Sequence, residues 1–257
     1  MSQPFKLEIT NIYKDYQLKN GTIFKTLENL NMQIKSGEFV SLIGPSGSGK
    51  STLFNLISGL ELPSNGDILL DSQSIINKKG LVSYMPQKDH LLPWRTILEN
   101  VILGLELAKV PKEEARKRAL LFAETFGLKE FMNEYPSALS GGMRQRAALL
   151  RTALLNNDVL LLDEPFGALD EITRMHMQQW LLSIWEKLGN TILFVTHSID
   201  EAILLSDRVY VFSARPATVK EIVNIPLSRP RKSTMMVSDE FIKLKKILIE
   251  LLNDNTE

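Results

Sequence analysis

Eight residues, Gly44-Pro45-Ser46-Gly47-Ser48-Gly49-Lys50-Ser51, follow the pattern G-x-x-x-x-G-K-[ST]. Glycines at this spacing let successive backbone N–H groups turn inward and form a hollow for an anion. A helix expected from Gly49 to Ser58 adds the positive end of its dipole. Lys50 would then reach the β and γ phosphates of a nucleoside triphosphate, and Ser51 would place a hydroxyl on Mg²⁺. The expected nucleotide-binding stretch runs on through Thr52. The embedded Gly47-Ser48-Gly49 is no dinucleotide fingerprint, because the third glycine and the downstream acid are missing.

A second chemical group is the apolar run Val159-Leu160-Leu161-Leu162 ending in Asp163-Glu164. Strands buried on both faces of a parallel sheet read this way, and ligands bind beyond their carboxyl ends. Asp163 is placed to hold Mg²⁺, and Glu164 to orient or deprotonate an attacking water. Taken alone, the pair also reads as a solvated acidic turn. His197 follows the strand Thr191–Thr196, and Gln87 follows the strand Gly80–Met85. A lone histidine is more often structural, but this one sits at the same end of the sheet as the acids. Its imidazole could bond the γ-phosphate or the water, and the Gln87 amide could contact Mg²⁺ and water.

Ser140-Gly141-Gly142 opens a further helix and makes a second anion site, a serine N-cap followed by two glycines. One nucleotide does not need two such helix starts from one chain. The surplus suggests that this one serves another molecule's nucleotide.

The elements that must position these groups alternate short apolar runs with longer helical patterns, the mark of an α/β fold with a largely parallel sheet. The beginning differs, with strands at Lys6–Tyr13 and Thr26–Ile34 around a turn near Asn20-Gly21. Glu38–Ile43 and Gly66–Leu70 are further strands. From Thr96 to Leu155 the pattern is helical: Thr96-Ile97-Leu98-Glu99 is a capping box, and Pro111 starts a helix expected to run to Phe126 and stop at Gly127. Strands return at Asp207–Ser213 and Ala217–Ile225, with helices at Glu171–Leu188 and Ile199–Leu205. Ser228–Ser233 reads as a basic linker, and Asp239–Leu252 as an amphipathic helix that packs on the core rather than regulates.

Bulk properties narrow the classes. The chain has 257 residues, 44% of them hydrophobic and 23% charged, which suits a packed globular protein. Thirty basic residues balance thirty acidic ones, so nucleic-acid binding has no compositional support. Without cysteine there are no disulfides, thiolate metal sites or cysteine nucleophiles. The start, Met1 to Lys6, lacks the apolar core of a signal peptide, and no run approaches the ~18 apolar residues of a bilayer span. A cytoplasmic chain is expected, touching a membrane only through a partner.

Leu139-Ser140-Gly141-Gly142-Met143-Arg144-Gln145-Arg146 resembles the signature of ABC ATPases, with Met143 where many members have Gln. The whole chain, over about residues 5–225, resembles an ABC nucleotide-binding subunit. Gly44–Ser51 resembles its Walker A motif, Val159–Glu164 its Walker B, Gln87 the Q-loop, Ala168-Leu169-Asp170 the D-loop and His197 the H-loop. Tyr16 fits the aromatic residue that stacks on adenine, although Tyr13 is close by.

The resemblance implies one P-loop NTPase domain over 1–257 with a RecA-like mixed sheet. An N-terminal antiparallel β subdomain and that core would span about 1–87 and 156–227. A helical signature subdomain would take 88–155, and a linker and helix 228–257. It also implies ATP and Mg²⁺ as cofactors, hydrolysis with Lys50, Gln87, Glu164 and His197 as the catalytic set, and Mg²⁺ at Ser51, Gln87 and Asp163. A head-to-tail pair of chains is implied, in which Ser140, Gly141, Gly142, Gln145 and Asp170 meet the partner's ATP.

Leu91-Leu92-Pro93-Trp94-Arg95-Thr96, Asp163-Glu164-Pro165-Phe166-Gly167-Ala168-Leu169-Asp170 and Ser213-Ala214-Arg215-Pro216 resemble importers of the nitrate, sulfonate and taurine group. Relatives of that group carry bicarbonate and pyrimidine precursors of thiamine. Ser72 and Ala217 depart from its usual glycines. From residues alone, Asp89–Thr96 either docks a partner helix or packs the helical part. The importer resemblance implies a membrane permease, reached on the inner face of the cell membrane, and indirectly a solute-binding protein. The rival readings are an ABC exporter or lipoprotein-release subunit, a soluble ABC ATPase of repair or translation, and a nucleotide-binding scaffold without hydrolysis. About 30 residues after the last strand leave no room for the regulatory domain of maltose-type importers.

Overall fold

A computed structural model of the chain describes residues 5–155 and 157–253, so Met1–Pro4, part of the stretch read for a leader, lies outside the described residues. Among the described residues, ten strands form two sheets. The first holds β1 (Leu7–Gln17), β2 (Ile23–Ile34), β4 (Asn65–Leu70) and β5 (Gln73–Ser74) in the antiparallel order β2-β1-β4-β5. The second runs β10-β9-β3-β8-β7-β6, from β10 (Val219–Asn224) through β9 (Arg208–Phe212), β3 (Phe39–Ile43), β8 (Thr191–Val195) and β7 (Val159–Asp163) to β6 (Ser83–Met85). All its pairings are parallel except that of β10 with β9.

The three central strands are buried along their whole length, which is why they read as mostly apolar runs. Their side chains still alternate between two cores. Phe39, Leu160, Leu162, Ile192 and Phe194 face the helical layer. Val40, Leu42, Val159, Leu161, Leu193 and Val195 face the antiparallel sheet and α1 (Lys50–Ile57). Period-two alternation thus lets one sheet anchor both layers.

The helical layer contains α2 (Ile97–Val101), α3 (Leu103–Leu107), α4 (Lys112–Ala123) and α5 (Gly141–Ala153), followed across β7 by α6 (Glu171–Leu188). The capping box at Thr96 forms with both of its reciprocal bonds. Several boundaries differ from expectation. The strand expected from Gly80 starts at Ser83, because Gly80 turns the chain with φ 81°. Helix α4 ends at Ala123 rather than Phe126, and Pro111 is its N-cap. β1 and β2 are longer than read, since their outer turns are irregular and half exposed.

After α7 (Ile199–Leu205) and β10 comes α8 (Asp239–Asn253), whose Phe241, Leu244 and Leu248 pack beside Ala202–Leu204 and Ile225. The stretch read as a basic linker is tied down. Arg231 is 3% exposed and donates to the carbonyls of Ile203 (3.0 Å), Ser206 (2.5 Å), Leu227 (3.1 Å) and Ile225 (3.1 Å). A cation suits the carbonyl end of α7, and burial pushes its guanidinium down to about 10. Among the described residues, no helix is long and apolar enough to cross a membrane.

Candidate functional site

The carboxyl ends of β3, β6, β7 and β8 open on one crevice, as the sheet order requires. Gly44 follows β3, Gln87 lies just past β6, Asp163 closes β7 and His197 lies just past β8. A cavity of about 210 Å³ there is lined by Ser46–Thr52, Gln87, Glu164, His197 and Arg215. Ser46, Gly47, Ser48, Gly49, Lys50, Ser51, Thr52, Gln87, Glu164 and His197 were all expected at a nucleotide; Arg215 was not.

Helix α1 starts at Lys50 with no side-chain cap at Gly49, and Leu53 N–H is the first to bond back, to Gly49 O at 2.9 Å. The amides of Lys50, Ser51 and Thr52 therefore have no partner within the helix and suit an anion. Lys50 is 5% exposed and its Nζ donates to Gly44 O (2.9 Å), Pro45 O (2.9 Å) and Ser48 Oγ (3.2 Å). Burial holds its ammonium below the usual lysine range, against the pull of Glu164 and Asp163. Gly44 and Pro45 thus act on the crevice through this lysine.

Asp163 is 1% exposed, and its Oδ1 has no hydrogen-bond partner. Burial raises its pKa, while a hydrogen bond with Ser51 pulls the other way. A buried carboxylate with one orphan oxygen, joined to a serine hydroxyl, is an oxygen-donor set that fits Mg²⁺.

Glu164 sits at φ 49°, an uncommon region for a non-glycine residue, and its N–H donates to Val195 O at 3.0 Å. Gln87 Nε2 donates to its Oε2 at 2.9 Å, and His197 Nε2 lies 2.5 Å from its Oε1. Three loops thus converge on one carboxylate.

Tyr16 lies at the flank. Its hydroxyl donates to Glu61 at 2.5 Å and bonds with Thr52. Burial, then Glu61, pushes this phenol up to about 12. Through Thr52, the last residue of the expected nucleotide-binding stretch, Tyr16 is joined to the loop.

Ser140, Gly141, Gly142, Gln145 and Asp170 do not line the cavity. Ser140 Oγ caps α5 by accepting from Met143 N–H at 3.3 Å, and Asp170 caps α6 by accepting from Thr173 N–H at 3.0 Å. Within its own chain, Gln145 is tied to the loop that carries Glu164. It is 6% exposed, donates to Glu164 O (2.8 Å) and accepts from Ala168 N–H (2.8 Å), so its amide is spent within the chain.

The Asp89–Thr96 loop is part buried and part exposed. Leu91 is buried in the helical core, whereas Trp94 is 71% exposed. Buried Asn100 holds the loop's shape, accepting from Leu92 N–H at 2.6 Å and donating to the carbonyls of Leu92, Arg95 and Thr96.

Glu201 escaped the sequence reading. It occupies the last place of Ser198-Ile199-Asp200-Glu201, a capping-box pattern. Its side chain turns inward instead, accepting from Thr196 Oγ1 (2.5 Å) and Gln178 Nε2 (3.1 Å). Burial keeps its pKa raised. It borders a cavity of about 340 Å³ shared with Glu164, His197 and Arg174.

The family model described as ABC transporter matches residues 27–167. A formylaminopyrimidine import ATP-binding protein, ThiZ of Halalkalibacterium halodurans, is 46% identical over 228 residues, covering 88% of this chain and 89% of that protein. An aliphatic sulfonates import ATP-binding protein, SsuB of Bacillus thuringiensis, is 40% identical over 245 residues, covering 95% and 94%. The ATP-binding cassette MJ0796, solved as a dimer in a post-hydrolysis state with ADP and Pi, superposes with a TM-score of 0.79 at 33% identity. The match covers 86% of this chain and all of that one.

Proposed function

The chain belongs to the ABC transporter family, and on that premise we propose that it is the ATP-hydrolysing subunit of an importer for a small solute. The observation that carries the hydrolytic reading is the Glu164 carboxylate, held between Gln87 and His197 at the rim of the Lys50 loop. A scaffold that only binds nucleotide has no use for such a carboxylate.

In this reading the loop amides and Lys50 bind the phosphates, and Tyr16 meets the adenine. Mg²⁺, held by Ser51 and Asp163 with Gln87 in reach, would neutralise charge on the β and γ phosphates. Glu164 accepts a proton from water as the water oxygen bonds to the γ phosphorus. The bond from that phosphorus to the β,γ-bridging oxygen breaks, giving ADP and phosphate. His197, beside both the water and the γ-phosphate, would orient them.

Ser140 and Gly142 lie off the cavity of their own chain. A second copy, arranged head to tail, would bring its signature helix start to this loop, as the dimeric cassette relative makes reasonable. We assign the permease contact to the Asp89–Thr96 loop around exposed Trp94. Residues 88–155 are then the signature-bearing helical part. The cargo class follows relatives named for sulfonates and formylaminopyrimidine. A phosphate-release assay with MgATP tests the hydrolytic reading: steady release by the parent supports it, and equal release by Glu164→Gln contradicts the role of Glu164.

A further inference from the structure

A second cation, Arg215, lines the phosphate cavity beside Lys50. It sits on the connection between β9 and β10, two residues before Ala217, which pairs in parallel with Leu27 of β2. Ala217 N–H donates to Thr26 O at 2.9 Å, and Glu28 N–H to Ala217 O at 3.0 Å. The backbone beside Arg215 is therefore fixed to the antiparallel sheet. Its side chain reaches the other way: Nε donates to Gly47 O at 2.8 Å, and Nη2 donates to the same carbonyl. The guanidinium also lies over the Phe24 ring, 4.5 Å from its centre. Phe24 stands directly opposite Tyr16 in the β1–β2 ladder.

Gly47 has φ 73°, and a Cβ there would come within 2.8 Å of Arg215 Nη2, so glycine lets the guanidinium close on the loop. The peptide between Gly47 and Ser48 is held at both ends, because Ser48 N–H donates to Pro45 O at 3.2 Å. Were this peptide to turn over, a carbonyl oxygen would point at the phosphates and repel them. We propose that Arg215 is a positioning residue for the nucleotide phosphates: it forks onto the Gly47 carbonyl, keeps it out of the phosphate hollow, and through Phe24 ties the hollow to the strand pair that carries Tyr16. This rests on the reading of Gly44–Ser51 as a phosphate loop.

Arginine suits this place because its planar fork can bond one oxygen twice while stacking on a ring, which an ammonium cannot do. Because Arg215 is exposed, its replacement leaves the folded core alone. Titration calorimetry of the parent, Arg215→Gln and Arg215→Lys with MgATP, MgADP, magnesium tripolyphosphate and adenosine is the test. Arg215→Gln should weaken the three phosphate ligands by a similar factor, roughly tenfold or more, with adenosine held within twofold. Arg215→Lys should recover less than half of that loss. Phe24→Leu should weaken the phosphate ligands less, and add nothing on top of Arg215→Gln. Tripolyphosphate binding within twofold of the parent in Arg215→Gln overturns the proposal, as does an equal loss for adenosine or full recovery with lysine. If the parent itself binds neither MgATP nor tripolyphosphate, the phosphate-loop reading fails first.

Discussion

One carboxylate oxygen of Glu164 lies 2.5 Å from Nε2 of His197, while Gln87 holds the other at 2.9 Å. The two contacts together aim the carboxylate at the loop cavity. Replacing Glu164 by Gln keeps the shape and removes the base. Turnover at saturating MgATP should fall by roughly 10²–10⁴, the range for a lost general base, while ATP binding persists. Single-turnover phosphate release together with an ATP-binding titration separates these two effects. Loss of binding in step with turnover would show that Glu164 acts earlier than the chemistry.

Lys50 bonds only oxygens of its own loop in this structure, at 2.9–3.2 Å. Phosphate oxygens are stronger acceptors than these carbonyls, so the lysine should transfer to them. Lys50→Ala should therefore cost one or two charge-assisted hydrogen bonds, roughly 10–100-fold in ATP affinity. Fluorescence titration with a labelled ATP reads this directly, and an unchanged affinity would remove Lys50 from the phosphate site.

Asp163 Oδ1 is buried without a partner. Asp163→Asn keeps the size and removes the charge. The Mg²⁺ concentration for half-maximal hydrolysis should rise by about tenfold or more, with nucleotide binding in EDTA little affected. A Mg²⁺ dependence identical to the parent would contradict the assignment.

Glu201 supplies a pH test. Burial raises its folded pKa above the ordinary 4.5. A raised carboxylate holds its proton more tightly when folded than when unfolded. Its ionisation therefore costs stability as pH climbs from the ordinary value through the raised one, and the cost persists above that. Glu201→Gln removes this term. Denaturant melts between pH 4 and 8 should show the variant gaining on the parent as pH rises. A variant that loses ground across that window would mean that the bonds to Thr196 and Gln178, with the Arg174 charge nearby, outweigh burial.

The parts of this site that sequence made visible lie at strand ends. Val159–Leu162 and Thr191–Val195 announce buried parallel strands, and whatever follows such strands must face one crevice, which placed Asp163, Glu164 and His197. Gly44–Ser51 carries its own local chemistry. Arg215 stayed hidden because its partner, Gly47, lies 168 residues away, and nothing local marks an arginine for that carbonyl. The buried partners of Gln145 and Glu201 stayed hidden for a related reason. A helix-start glutamine and a capping-box glutamate look like surface groups until folding gives them buried partners. Arg231 looked like part of a solvated linker because its acceptors are main-chain carbonyls of α7 and its surroundings, which carry no sequence signature.

In the proposed dimer, the Lys50 loop of one chain is completed by the Ser140–Gly142 helix start of a second. In this chain a Cβ on Gly142 would come within 3.3 Å of Ala168 O and Leu169 Cδ2, so an aspartate there adds both bulk and repulsion toward phosphate. The most direct measurement is the solution mass of Glu164→Gln by light scattering, with and without saturating MgATP. The proposed dimer should give the 29.1 kDa chain alone and twice that mass with MgATP, the shift being abolished by adding Gly142→Asp. A mass that stays at one chain in saturating MgATP, or a dimer that survives Gly142→Asp, would contradict it.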